Sequence, residues 1–239
     1  FRWWYRLSHF SLAQRAKIIC TNSHFSASEL KRYLHLDERK LHIISPGVEH
    51  ISSLTSTPIA ALADKTSPFV FILGSHNKNK NHQLVFDALN LLHDMPLLCA
   101  SSGNINPKVF QNFNKVHDKV LPLGYLSDAE IKWAFEHAQC FIFPSLYEGF
   151  GIPPVEAMAC GCPVIAARSA SLPEVCGPFA HYCSPHDAQE LAASLRQVIN
   201  AHKEDAAAGA EAKQARIKHA QQYSWDVSAK QLGELCYEL

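Results

Sequence analysis

"FVFILGSHNKNKNHQLVFDALNLL", residues 69–92, reads as a strand, a loop and a helix in direct succession. "FVFILG" is a nearly continuous apolar run, the pattern of a strand covered on both faces rather than one facing water. "GSHNKNKNH" is polar, with two lysines and three asparagines after the glycine that ends the strand. In "HQLVFDALNLLH" the residues Leu84, Val85, Ala88, Leu89 and Leu92 share one face at helical spacing. A doubly buried strand feeding a helix through a short polar loop is the repeating unit of a parallel sheet.

The unit recurs in both directions. Strands are predicted at 17–21 (KIICT), 41–44 (LHII), 69–74, 96–100 (PLLCA), 119–123 (KVLPL), 140–144 (CFIFP), 163–167 (PVIAA) and 180–183 (AHYC). Helical patterns lie between them, as in "LSDAEIKWAFEHA", where Ser127 is a good N-cap and Ile131, Ala134 and Phe135 form the apolar stripe. This alternation predicts an α/β fold, a Rossmann-like doubly wound parallel sheet of right-handed βαβ units. Residues 52–67 read as a polar surface connection and 201–222 as an exposed helix; no internal repeat is visible.

Such sheets bind ligands at the carboxyl ends of their strands. Two loops there carry chemistry. The loop 74–82 offers Lys78, Lys80 and free backbone amides ahead of a helix, which is an anion site or simply a solvated loop. The second is "PSLYEGFGIPPVEAMACGCPV", 144–164. Gly149 and Gly151 permit close backbone approach or positive φ. Pro153 and Pro154 suit the first turn of a helix. That start would put Glu156 in the same turn, where a carboxylate is favoured by the helix dipole, and Glu148 before it. Paired carboxylates can be an acid/base pair, metal ligands or a clamp. Glycines, lysines and a helix N-terminus are the wrong setting for a glycosidase pair. A phosphate on the amides, with hydroxyls accepted by a carboxylate at either end, describes a nucleotide-sugar.

Composition narrows the class. The 239 residues are 47% hydrophobic, enough for a substantial core. Lys+Arg and Asp+Glu both number 22, so no basic excess points to nucleic acid. The 14 histidines never fall at H-x-x-x-H spacing, and the eight cysteines contain no C-x-x-C. Cys20, Cys99 and Cys140 lie in apolar runs and read as small hydrophobes in a reducing, cytosolic protein. No D-x-D segment is present, so no divalent metal is expected. No apolar run approaches bilayer-spanning length, and no signal peptide is evident. The opening "FRWWYRLSHFSLAQRAK" is aromatic and basic; it suits a helix whose packing partner lies in preceding sequence, or one lying on a membrane surface.

"EGFGIPPVEAMACGCPVIA" resembles the Glu-seven-Glu signature of the retaining glycosyltransferases of family four, which have the GT-B fold. Further segments resemble that family in order: "TNSHFSASEL" (21–30), "ISPGVEH" (44–50), "LGSHNKNKNHQLVFDAL" (73–89), "LGYLSDAEI" (123–131), "SLPEVCG" (171–177) and "YSWDVSAKQL" (223–232). The resemblance implies the C-terminal, donor-binding half of a GT-B protein, with residues 1–50 a lead-in from an acceptor domain, 51–222 the nucleotide-sugar domain and 223–239 a C-terminal helix. It implies that Glu148 binds the donor sugar and supports positive charge at its anomeric carbon. Lys80 neutralises the leaving diphosphate. Gly74 and Asn81 belong to the phosphate loop, where Ser75 stands in place of an arginine many members carry and Lys78 can substitute. Gly149, Phe150, Gly151 and Ile152 supply amides, Glu156 accepts from the ribose, and Tyr125 and Leu126 contact the base. The implied donor is a nucleoside-diphosphate sugar, with GDP-mannose the expected one, and no further cofactor. The implied acceptor is a glycan or lipid-linked sugar, met in the cytoplasm or at the inner membrane face. The alternative is a donor-binding module that does not turn over without its other half; a related sugar-nucleotide epimerase ranks below both.

Overall fold

The computed structural model describes residues 10–63, 68–74, 77–95, 97–103, 119–204 and 206–237. All eight predicted strands form: β1 (Ile19–Thr21), β2 (Leu41–Ile43), β3 (Phe69–Leu73), β4 (Leu98–Ser102), β5 (Val120–Gly124), β6 (Phe141–Phe143), β7 (Val164–Ala167) and β8 (His181–Cys183). β1 and β2 pair in parallel as a sheet of their own, joined by α1 (His24–Leu34). The other six form one parallel sheet in the order β5-β4-β3-β6-β7-β8. The chain runs outward from β3 to one edge, returns, and runs from β6 to the other. β3 and β6 are therefore neighbours at the point where the order reverses, and a crevice opens beyond their carboxyl ends.

The continuous apolar runs are explained by helices on both faces. Phe69 and Phe71 of β3, Phe141 and Phe143 of β6, and Val164 and Ala166 of β7 bury into one core with α5 (Asp128–His137), α6 (Ile152–Ala159) and α7 (Leu172–Cys176). Val70, Ile72, Ile142 and Ile165 bury into the other, against α4 (His82–Leu91) and α8 (Ala188–Glu204). α4 presents Leu84, Val85, Ala88 and Leu89, the face its periodicity predicts. α5 starts with a full capping box, Ser127 and Glu130 each bonding the other's backbone N–H.

Two expectations need correction. The stretch 52–67 is not merely a surface connection: α2 (Glu49–Ser53) ends within it, α3 (Ala60–Ala63) lies along it, and Ile59 and Leu62 enter the core. Its few apolar residues are spaced to reach inward although its composition is polar. Residues 64–67 lie outside the described residues. Cys20 is exposed, because β1 belongs to the small two-stranded sheet; Cys99 and Cys140 are buried as expected. The helix α9 (Ala206–Ala220) is largely exposed, and α10 (Trp225–Tyr237) closes the described chain. No described helix is long and apolar enough to cross a membrane.

Candidate functional site

The crevice is walled by the loops after β3, β5, β6 and β7. After β3, residues Lys78–Lys80 make one 3-10 turn, and Asn81 takes a left-handed conformation at φ 53°. Asn81 Nδ2 donates to the carbonyls of Pro144 (3.1 Å) and Pro185 (2.8 Å), and Leu146 N–H donates to Asn79 O at 2.8 Å. The side chain of Asn81 is thus a strut across three loops. Those ties set the lysine loop against the glutamate loop. Lys80 Nζ lies 2.8 Å from Glu148 Oε1 and 4.6 Å from the centre of the Phe143 ring. Lys78 is exposed, and Gly74 N–H bonds Ser102 O across the sheet. Ser75 lies outside the described residues.

The glutamate loop is shaped by hydroxyls. Ser171 Oγ, fully buried, lies 3.0 Å from the Glu148 carbonyl and 2.9 Å from that of Phe150. Ser23 and Ser26 donate to the Gly149 carbonyl at 2.5 and 2.9 Å. Three successive carbonyls are therefore drawn into the protein. In a trans peptide the N–H of the next residue points away from the carbonyl, so the amides of Gly149 and Gly151 point away from Ser171 and that of Phe150 away from Ser23 and Ser26. Among the described residues none of these three has an acceptor. Gly151 sits at φ 95°, and a Cβ there would lie 2.6 Å from Leu172 Cδ2. Phe150 buries its ring edge-on against Tyr223, leaving only its backbone for a ligand. Ile152 is the first residue of α6, followed by Pro153 and Pro154.

Glu156 is the fifth residue of α6, just past the first turn in which it was expected, because the left-handed Gly151 fixes the helix start at Ile152. Its side chain is 16% exposed, and Oε1 lies 2.8 Å from His50 Nε2. Burial raises its carboxyl pKa, the His50 contact opposes that rise, and Asp128 adds to it. Leu126 is buried in the core, while Tyr125 stands 92% exposed beside it at the carboxyl end of β5. The structure thus brings Lys80 to Glu148 beside the loop amides, sets Glu156 against His50 on the helix that follows, and uses Asn81 as a brace.

Four residues here escaped the sequence reading: Ser23, Ser26, Ser171 and His50. Each lay in a quoted segment, but nothing local distinguishes a serine that holds a distant carbonyl from one that caps a helix. His50 carries no ligand spacing.

A family model described as "Glycosyl transferases group 1" matches residues 57–215, which include every part of this crevice except His50 and the two serines of α1. The chain belongs to the group 1 glycosyl transferases. This group 1 chain is 28% identical over 230 residues to the serotype-specific mannosyltransferase WbdA of Escherichia coli, covering 89% of itself and 28% of WbdA. Its fold matches sucrose-phosphate synthase from Thermosynechococcus elongatus with a TM-score of 0.82 at 21% identity, over 98% of this chain and 61% of that one. Anabaena HepE, solved in complex with UDP-glucose, matches with a TM-score of 0.77 at 20% identity, over 100% of this chain and 69% of HepE. The architecture is that of the GT-B glycosyltransferases. The group 1 chain spans less than a third of WbdA's length.

Proposed function

We propose that this chain is the donor-binding part of a retaining, family-four hexosyltransferase that uses a nucleoside-diphosphate sugar, with GDP-mannose the donor. The observation that supports the reading is the run of amides at 149–151 without acceptors, next in sequence to Glu148 with its Lys80 contact and at the start of the helix that carries Glu156. A diphosphate on those amides puts its sugar near Glu148 and its ribose near Glu156. The choice of mannose is supported by the WbdA relative, and a nucleotide donor by the UDP-glucose complex of HepE.

In the proposed reaction the bond from the anomeric carbon to the β-phosphate oxygen breaks, and the acceptor hydroxyl forms a new bond on the same face. Its proton passes to the departing diphosphate. Glu148 stabilises the positive charge that develops on the sugar, and Lys80 with the amides stabilises the negative charge on the leaving group. Tyr125 and Leu126 bound the base side through backbone groups. The acceptor is a glycan or lipid-linked sugar, reached in the cytoplasm or at the inner membrane face.

Calorimetry with GDP, UDP and dTDP tests the donor site, and failure of all three at millimolar concentration would overturn it. A second reading is a nucleotide-sugar-binding module that does not turn over by itself. Turnover by the full-length protein, with Glu148→Ala beside it, decides between them: Glu148→Ala abolishes transfer if the first reading holds, and wild-type turnover in that variant counts against it.

A further inference from the structure

We infer that His50 is a positioning residue: it holds the Glu156 carboxylate as an ionised, fixed acceptor and so sets the preference of the site for a ribonucleotide over a 2′-deoxyribonucleotide. The inference rests on the proposed role of Glu156 at the ribose.

The geometry comes first. Glu156 Oε1 and His50 Nε2 are 2.8 Å apart, and among the described residues His50 is the carboxylate's only hydrogen-bond partner. An ionised carboxylate only accepts, so the imidazole carries its proton on Nε2. One lone pair is engaged and three remain for a ligand, enough for the two neighbouring hydroxyls of a ribose. Fixing one oxygen fixes the plane in which the others are presented.

His50 is itself held from both sides. Val48 and Ile51 are buried in the core, and Val48 N–H donates to Tyr223 O at 3.1 Å. Glu49 Oε1 accepts from Ser224 Oγ at 3.0 Å and from Trp225 N–H at 2.5 Å, fastening the start of α10. A half-exposed histidine between three anchored residues has little freedom to leave Glu156.

The electrostatics agree. Burial favours the neutral carboxyl, and the neutral form would present a donor where a diol needs an acceptor. Among the described residues, the charged or titratable groups facing Glu156 from other elements are His50 on α2 and Asp128 at the start of α5, and Asp128 pushes the same way as burial. At the end of its own helix the capping Cys160 is near; its thiol is itself pushed up to about 12, chiefly by burial. His50 is the only one of these that favours the charged carboxylate.

The test uses the full-length protein, with GDP and 2′-deoxy-GDP as probes in calorimetry. Wild type is expected to prefer GDP. His50→Ala is expected to cut that preference by about ten-fold, the loss of one charge-assisted hydrogen bond. The acid limb of GDP binding should move to higher pH in His50→Ala. His50→Gln, which keeps an N–H donor, should restore the preference. Glu156→Ala is run in parallel. If Glu156→Ala abolishes the preference while His50→Ala leaves both preference and acid limb at wild type, the inference about His50 is overturned and the ribose assignment stands. If Glu156→Ala keeps the preference, the ribose assignment itself is overturned. Should His50→Ala fail to fold by circular dichroism, His50→Gln alone decides: its preference must match wild type while its acid limb shifts upward, and an unshifted limb overturns the inference.

Discussion

Ser171→Ala should damage both stability and nucleotide binding, through one lost proton. The Ser171 hydroxyl is fully buried and lies within 3.0 Å of two carbonyls, those of Glu148 and Phe150. It has a single proton to share between them. Removing it forfeits a net hydrogen bond of about 1 kcal/mol and leaves the buried Phe150 carbonyl unsatisfied, for a total of about 2 kcal/mol. In a chain of this length that lowers Tm by about 4–8 °C. The two peptides that hydroxyl fixes also aim the amides of Gly149 and Gly151, so loosening them should weaken nucleoside-diphosphate binding by about ten-fold. Differential scanning calorimetry gives the first number and titration calorimetry the second. Ser28→Ala is the control, since Ser28 Oγ bonds only its own helix at Phe25 O, on the surface. If Ser171→Ala melts and binds like wild type, the hydroxyl does not set the loop and the account of the amide row is wrong.

Other outcomes follow from the same contacts. Glu148→Gln should abolish transfer yet tighten nucleoside-diphosphate binding by about five-fold, because a partly buried pair worth about 1 kcal/mol no longer competes for Lys80; weaker binding in titration calorimetry would refute the competition. Gly151→Ala combines left-handed strain of about 1–2 kcal/mol with overpacking against buried Leu172, so its urea midpoint should correspond to a loss of about 2–4 kcal/mol. His82 is buried, bonds Leu73 O at 3.0 Å, and has its pKa lowered chiefly by burial. The unfolded chain therefore takes up a proton that the native ring refuses, so stability is full above a pH of about 6.5 and falls as pH drops through the lower folded value. His82→Gln should flatten that acid slope in urea unfolding between neutral and mildly acidic pH, and an unchanged slope would assign it to other groups.

The sheet was legible because burial on both faces leaves a mark that survives in one dimension. Phe69 to Leu73 alternate between two cores, so every residue must be apolar, and the run ends where the loop begins. The glutamate loop was legible for a related reason: Gly151 and the two prolines are demanded by local backbone geometry. The contacts that aim the site left no such mark. His50 meets Glu156 across 106 residues, and Ser23 meets Gly149 across 126. Polar side chains that act at that range carry no periodicity, and a histidine beside the core looks like any other.

Ser23 serves a local and a tertiary role with one hydroxyl. Its hydroxyl oxygen accepts from Ser26 N–H at 2.9 Å, the ordinary N-cap of α1, with φ −157° at the cap. The same hydroxyl donates its proton to the Gly149 carbonyl. A hydroxyl can do both at once; a carboxylate can do only the first. Ser23→Asp separates the two. Aspartate is as good an N-cap as serine, so α1 should keep its start. With no proton to give, and a charge set against a carbonyl at a site only 1% exposed, it should push the Gly149 peptide out of line. Nucleoside-diphosphate affinity should then fall by at least about ten-fold while the far-ultraviolet circular dichroism stays that of wild type. Ser23→Asn, which caps equally well and also carries an N–H donor, should lose less. If Ser23→Asp binds as wild type does, the cap is all that Ser23 provides, and Ser26 alone holds the Gly149 carbonyl.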